Sequence, residues 1–282
     1  MSWSPLMPRQ QPARCPLPDK IMTEREPRIV VVGSHVQGLF MRVDHFPSAD
    51  ETVLGWDFKE ALDGGKGSHQ AIACARLGAL TSFIGCVGQD HLGDIGAGWM
   101  SDAGVDLTYL KRSQTKATGT GFVMINPRGL AAIVTAMGAN EELSEADIDD
   151  AKELIARSSI MLVTFEIPSR VALYATRVGK HHGLTVILTP GPAEPLPSGA
   201  LKAVDILVPN MTEAKILLGM DSGARTTPHT LARRLQERFG LERVVITLGE
   251  QGAVVADGVE FYSVPAVPVQ VVDTPGAGDA FT

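Results

Sequence analysis

Short, continuously apolar runs recur along this chain, separated by stretches of helical composition, and that alternation restricts the fold more than any other feature. Residues 29–33 open the series: an apolar run closed by glycine, which suits a strand buried on both faces. Further strands are expected at residues 82–87, 161–165, 185–188, 206–208, 244–247 and 253–256. Residues 66–77 have helical composition and end at Gly78. Ser144 with Asp147 three positions on reads as a capping-box start for a helix to about residue 157. Strands alternating with helices predict an α/β body with a mainly parallel sheet covered by helices.

Two stretches interrupt this pattern. Residues 52–54 and 56–62 read as two short strands around Gly55, and residues 118–125 and 130–136 flank the turn Asn126-Pro127-Arg128-Gly129 as a hairpin. Both lie between helical segments, so a small sheet inserted into the larger body is expected.

Composition narrows the function. A chain of 282 residues, 44% hydrophobic and 20% charged, is neither fibrous nor disordered. Its 32 acidic residues exceed its 25 basic ones and no Lys/Arg cluster occurs, which argues against a nucleic-acid partner. No apolar run approaches the roughly 20 residues that span a bilayer, so no membrane partner is expected. Cys15, Cys74 and Cys86 are odd in number and show no C-x-x-C spacing, which suggests neither a disulfide framework nor a zinc site and makes a reducing cytoplasm the simplest compartment. Residues 1–27 carry six prolines and no apolar periodicity, the composition of an extended or disordered tail without a secretory signal. Met22 offers an alternative start.

Four motifs carry chemistry, each with a plainer structural alternative. Gly64-Gly65-Lys66-Gly67-Ser68-His69-Gln70 is a glycine-rich turn entering a helix, where the backbone can approach a ligand and free N–H groups face it. It is not a Walker A loop, since Glu60 and Gly67 stand where that motif needs glycine and Ser or Thr. Asp273-Thr274-Pro275-Gly276-Ala277-Gly278-Asp279 follows an apolar stretch and offers successive amides as an anion cradle, with a carboxylate beside it to accept a proton. Asn210-Met211-Thr212-Glu213 follows a strand, and a helix cap is its simplest reading. Thr247-Leu248-Gly249-Glu250-Gln251-Gly252 is a strand end and tight turn, and Glu166 closes another strand, where α/β sheets bind ligands.

In this order, and with Met137-Gly138-Ala139-Asn140 between them, these motifs resemble the ribokinase-like carbohydrate kinases of the phosphofructokinase-B family across nearly all of residues 28–282. The resemblance implies a Rossmann-like three-layer α/β sandwich with a small β-sheet lid (about residues 38–62 and 117–136), with ATP and Mg²⁺ as cofactors and a sugar hydroxyl as acceptor. It makes Asp279 the general base and the amides of Gly276, Ala277 and Gly278 the anion hole. Gly38, Gly65, Lys66, Gly67, His69 and Glu166 would face the sugar. Asn210 and Glu213 would organise phosphates and Mg²⁺ through water, with Thr247, Leu248, Gly249, Glu250, Gln251, Gly252 and Gly278 against the nucleotide. Asp273 and the backbone of Pro275 would hold a monovalent cation, K⁺, and the lid would pair two subunits into a homodimer.

Three features depart from the family. After Gly33-Ser34 the Asn-x-Asp of ribokinases is replaced by His35, Val36, Gln37 and Gly38, and His69 stands where an Asn is usual. Loss of a sugar-gripping carboxylate costs on the order of 1–3 kcal/mol, so within the leading reading, a ribokinase-like sugar kinase, the acceptor is expected to differ from free ribose or ribose to be used poorly; a kinase of another sugar, polyol, ketose or nucleoside is the enzymatic alternative, and a non-catalytic sugar or nucleotide sensor the other. The chain ends three residues past Asp279, where the family continues, and reads as C-terminally incomplete.

Overall fold

The computed structural model describes residues 27–60, 64–221, 223–269 and 276–282. The strands are β1 Arg28–Val32, β2 Val36–Val43, β3 Gly55–Glu60, β4 Leu80–Gly88, β5 Leu110–Ser113, β6 Gly119–Ile125, β7 Ala131–Ala136, β8 Ile160–Thr164, β9 Thr185–Thr189, β10 Ile206–Leu207, β11 Arg243–Thr247, β12 Ala253–Asp257 and β13 Glu260–Val264. The α-helices are α1 Lys66–Arg76, α2 His91–Asp102, α3 Glu145–Asp150, α4 Lys152–Ala156, α5 Ser169–His181, α6 Met211–Leu217, α7 Pro228–Phe239 and α8 Ala277–Phe281.

Nine strands form one sheet in the order β13-β12-β11-β10-β9-β8-β1-β4-β5. From β11 to β5 every neighbouring pair is parallel, and β12 and β13 extend the sheet antiparallel. Side chains alternate across it, as the strand period of two demands. Val30, Val32, Met161 and Val163 join the core beneath α5 and α7, whereas Val31, Phe83 and Leu162 pack under α1 and α2 with Ala71, Ile72 and Met100. Val30, Val31 and Val32 are fully buried, and each such side chain contributes roughly 1.5–3 kcal/mol of transfer free energy. The mainly parallel, helix-covered sheet predicted from the alternation is therefore present, in the three-layer form that the family resemblance implied.

The second sheet has the order β3-β2-β6-β7. Its outer pairs are antiparallel and its central pair, β2 with β6, is parallel. In the β6–β7 hairpin, Asn126 Oδ1 accepts from the N–H groups of Arg128 and Leu130, and Gly129 takes a φ of 78° that L side chains resist. Two polar clamps root this sheet in the body. Asp90 accepts from both the N–H and the hydroxyl of Thr118 just before β6. Asn140 accepts from His35 N–H at 3.0 Å and donates to His35 O at 2.7 Å just before β2, which explains the last position of the Met137-Gly138-Ala139-Asn140 motif.

Two local expectations are corrected. Residues 52–54 form no strand; β3 alone follows and pairs with β2, where the register shifts between Phe40 and Arg42 beside Asp57, whose φ is 52°. β2 ends at Val43, opposite Gly55, so residues 52–54 have no strand beside them to pair with. The helix expected from Ser144 to about residue 157 has its capping box but divides at Ala151, where the chain makes a three-residue hydrogen bond to Ile148 O, giving α3 and α4. Among the described residues no helix is long and apolar enough to cross a membrane.

Candidate active site

In the large sheet the chain runs from β1 to β4 on one side and later returns to place β8 on the other. The carboxyl ends of β1 and β8 thus flank a topological switch point, where open α/β sheets leave a crevice. Ser34 follows β1 and Glu166 follows β8, and they meet there: Ser34 Oγ donates to Glu166 Oε2 at 2.5 Å. Lys66 N–H donates to the same oxygen at 2.7 Å. Lys66 is the first residue of α1, so a carboxylate satisfies one of the N–H groups that a helix start leaves open.

The glycine turn brings that helix start into place. A Cβ at Gly64 would collide with the Val36 carbonyl oxygen, one at Gly65 would lie 2.7 Å from Val36 N, and one at Gly67 would lie 2.6 Å from Ser34 N. Gly65 also has a φ of 86°. The close backbone approach anticipated toward a ligand is thus made to the chain itself, along the connection between β1 and β2. Gly38 lies in that connection's continuation, opposite Gly121 in the small sheet.

Asp279 sits in the first turn of α8 and is only 8% exposed. Its Oδ2 lies 3.3 Å from His69 Nδ1, and its Oδ1 lies 3.4 Å from Gln70 Nε2. Gln70 Nε2 also donates to Thr189 Oγ1, at the end of β9, at 3.1 Å. Gly276 caps α8 with a φ of 74°, and Ala277 and Gly278 follow it in the helix. Asp273 and Pro275, the expected monovalent-cation ligands, lie outside the described residues.

The expected nucleotide residues form an adjoining group. Asn210 and Glu213 make a reciprocal capping box, Glu213 N–H to Asn210 Oδ1 and Asn210 N–H to Glu213 Oε2, each 2.9 Å. Thr247 N–H donates to Pro209 O, so Leu248, Gly249, Glu250, Gln251 and Gly252 turn beside this cap at the ends of β10 and β11. A Cβ placed at Gly191 would meet Lys66 Cε at 2.5 Å and Glu213 Oε1 at 2.6 Å. That point of convergence joins the two groups, and it leaves one oxygen of Glu213 in a cradle that a side chain at position 191 would fill.

Gly65, Lys66, Gly67, His69, Glu166, Gly276 and Asp279 are therefore assembled at the switch point, with Asn210, Glu213 and the Thr247 turn alongside. Sequence reading gave no role to Ser34, Gln70, Thr189 or Asn140. The only local signals were the Gly33-Ser34 step after the first strand and the motif ending in Asn140. A cavity of about 420 Å³ at the opposite ends of β1 and β4, lined by Arg28, Leu80, Asp106 and Arg157 among others, holds none of the expected site residues.

Comparison with known proteins places the chain among the carbohydrate kinases. The fold matches an Arabidopsis thaliana ribokinase solved with ribose and ATP at a TM-score of 0.82 and 31% identity, covering 91% of this chain and 84% of that one. A ribokinase of Haemophilus influenzae is 34% identical over 253 residues, 90% of this chain and 82% of its own length. A deoxyribokinase of Salmonella typhimurium is 33% identical over 254 residues, again 90% and 82%. Residues 26–282 match the pfkB family carbohydrate kinases, and the chain belongs to that family. It is an ATP-dependent carbohydrate kinase.

Proposed function

We propose that the chain transfers the γ-phosphoryl group of ATP to a hydroxyl of a sugar other than free ribose, with Asp279 as general base. The observation that carries the reading is the buried Asp279 carboxylate, held by His69 and Gln70 of the same helix whose first N–H is held by Glu166. Asp279 takes the proton of the acceptor hydroxyl as its oxygen bonds to the γ-phosphorus. The bond from that phosphorus to the β–γ bridging oxygen breaks, and ADP leaves. The amides of Gly276, Ala277 and Gly278 face the developing charge. Glu166 orients the sugar, while Lys66, with its stem over Gly191, sets a cation between the sugar and nucleotide groups.

Mg²⁺, when bound, neutralises the phosphates. Glu213 suits it through water, because one carboxylate oxygen in the Gly191 cradle is a small donor set and Mg²⁺ keeps most of its waters. K⁺ at Asp273 and Pro275 rests on the family resemblance alone.

The acceptor is read from what the site lacks. Val36 and Gly38 bring no side-chain donor or carboxylate to the sugar, and His69 is turned to Asp279. The small sheet, as a lid over this crevice, would exclude water from a transfer that must not become hydrolysis. Its exposed Trp56, Phe58, Ile133 and Val134 support a homodimer through the lid. The free thiols Cys74 and Cys86 are in keeping with the cytoplasm. ADP release with a panel of pentoses, deoxypentoses, hexoses, ketoses and nucleosides tests the acceptor: a non-ribose acceptor is expected to have the highest kcat/KM, and ribose leading by a wide margin overturns the assignment.

A further inference from the structure

We infer that His69 is a positioning residue for the catalytic base, fixing the Asp279 carboxylate, rather than a sugar ligand. The inference rests on the reading of Asp279 as general base. A carboxylate only accepts, so the contact between His69 Nδ1 and Asp279 Oδ2 at 3.3 Å places the ring proton on Nδ1. The next residue, Gln70, takes the other oxygen through Nε2. Successive residues of a helix diverge by about 100°, so the two grips reach the carboxylate from different directions and set both its place and its rotation.

The ring has a second contact that fits this role. A Cβ at Gly276 would lie 3.3 Å from His69 Nδ1 and 3.5 Å from its Cγ and Cε1, so the imidazole fills the space under the start of α8. α8 has only five residues, and α1 is the helix it packs on. His69 thus supports the base twice, by a hydrogen bond to its carboxylate and by a ring beneath its helix. Its side chain is 20% exposed and that of Asp279 only 9%. The short helix alone has no means of holding the carboxylate toward an acceptor. A base that can wander loses rate without loss of substrate binding, because only the aligned geometry leads to proton transfer.

This predicts a split between turnover and sugar binding. An Asn side chain can put its Nδ2 where the His Nδ1 lies and keep a donor to Asp279, whereas Phe keeps the ring volume and removes the donor. His69→Asn is expected to keep kcat within about 3-fold of the parent, and His69→Phe to lower kcat by about 10- to 100-fold with sugar Kd, measured by calorimetry, unchanged within about 2-fold. His69→Leu serves in place of Phe should the latter lower the melting temperature. In an Asp279→Asn background, His69→Phe should add no further loss, since the grip then has nothing to position. Undiminished kcat in His69→Phe, or a loss that lies in sugar Kd alone, overturns the positioning role. Near-normal turnover of Asp279→Asn by itself would instead overturn the reading of Asp279 as base, whatever His69 does.

Discussion

Ser34 and Glu166, 132 positions apart in the chain, are joined by a 2.5 Å hydrogen bond across the switch point of the sheet. Lys66 N–H adds a second donor to the same oxygen, Oε2. Among the described residues Oε1 accepts no hydrogen bond, so the carboxylate is held through one oxygen.

Ser34→Ala should therefore weaken sugar binding more than turnover. A hydrogen bond to a charged group is worth about 1.5–3 kcal/mol net, which corresponds to a rise in sugar KM of roughly 10- to 100-fold with kcat within about 3-fold. Steady-state kinetics at saturating ATP read both. An unchanged KM would mean that Glu166 needs no support from Ser34.

Asp279→Asn keeps the shape of the site and removes the proton acceptor. Turnover should fall by about 10² to 10⁴, while calorimetric ATP affinity stays within a few-fold, because, Gly278 apart, the expected nucleotide residues lie around Asn210 and Thr247 and make no hydrogen bond with the Asp279 side chain. Retained turnover would remove Asp279 from the chemistry.

Gly64→Ala and Gly98→Ala make a matched pair. At Gly64 the new methyl group has a carbonyl oxygen in its place, and the glycine turn must move off the β1–β2 connection. Both stability and activity should fall. At Gly98, in α2, the methyl group meets nothing within 4 Å, so the change should stabilise by about 0.5–1 kcal/mol through helix propensity. Chemical denaturation distinguishes them, and equal effects at the two sites would contradict the packing described above.

Asp90 gives the protein a pH-dependent increment of stability. Burial by itself pushes its carboxyl up, but the hydroxyl and N–H of Thr118 and the N–H of Gly93 outweigh it and hold the carboxyl below the usual range. A folded-state value below the unfolded one stabilises the fold at every pH above the unfolded carboxylate value of about 3.9. The increment is then lost as pH falls through the folded value. Asn also caps helices well, so Asp90→Asn keeps one accepting oxygen for the cap while removing the charge and the acceptor for Thr118 N–H; only the charge makes the gap depend on pH. The stability gap between parent and variant should be constant from about pH 5 to 7 and narrow below about pH 4. A gap that stays constant into acid would show that the charge contributes nothing there.

Much of the body was legible because its signals are short-range. β8, β9, β11 and β12 appear within two residues of their expected bounds, since strands inside a sheet covered by helices carry short, nearly continuous apolar runs. The caps at Ser144 and Asn210 are written within four residues each, and both form as reciprocal boxes. β2, β5 and β13 carried no comparable signal: β13 is an edge strand with mostly exposed side chains, and its partner, not its own sequence, makes it a strand.

The site divides along the same line. Which residues carry carboxylates, glycines and amides is fixed by the chain, and so is the turn chemistry that places each at the end of a strand or the start of a helix. Which of them touch was decided by the order of strands in the sheet. Ser34 meets Glu166 only because β8 lies beside β1, and His69 meets Asp279 across 210 positions only because α8 packs on α1. Periodicity and capping report interactions over a few residues, whereas the crevice is built from side chains whose proximity depends on how the whole sheet is ordered.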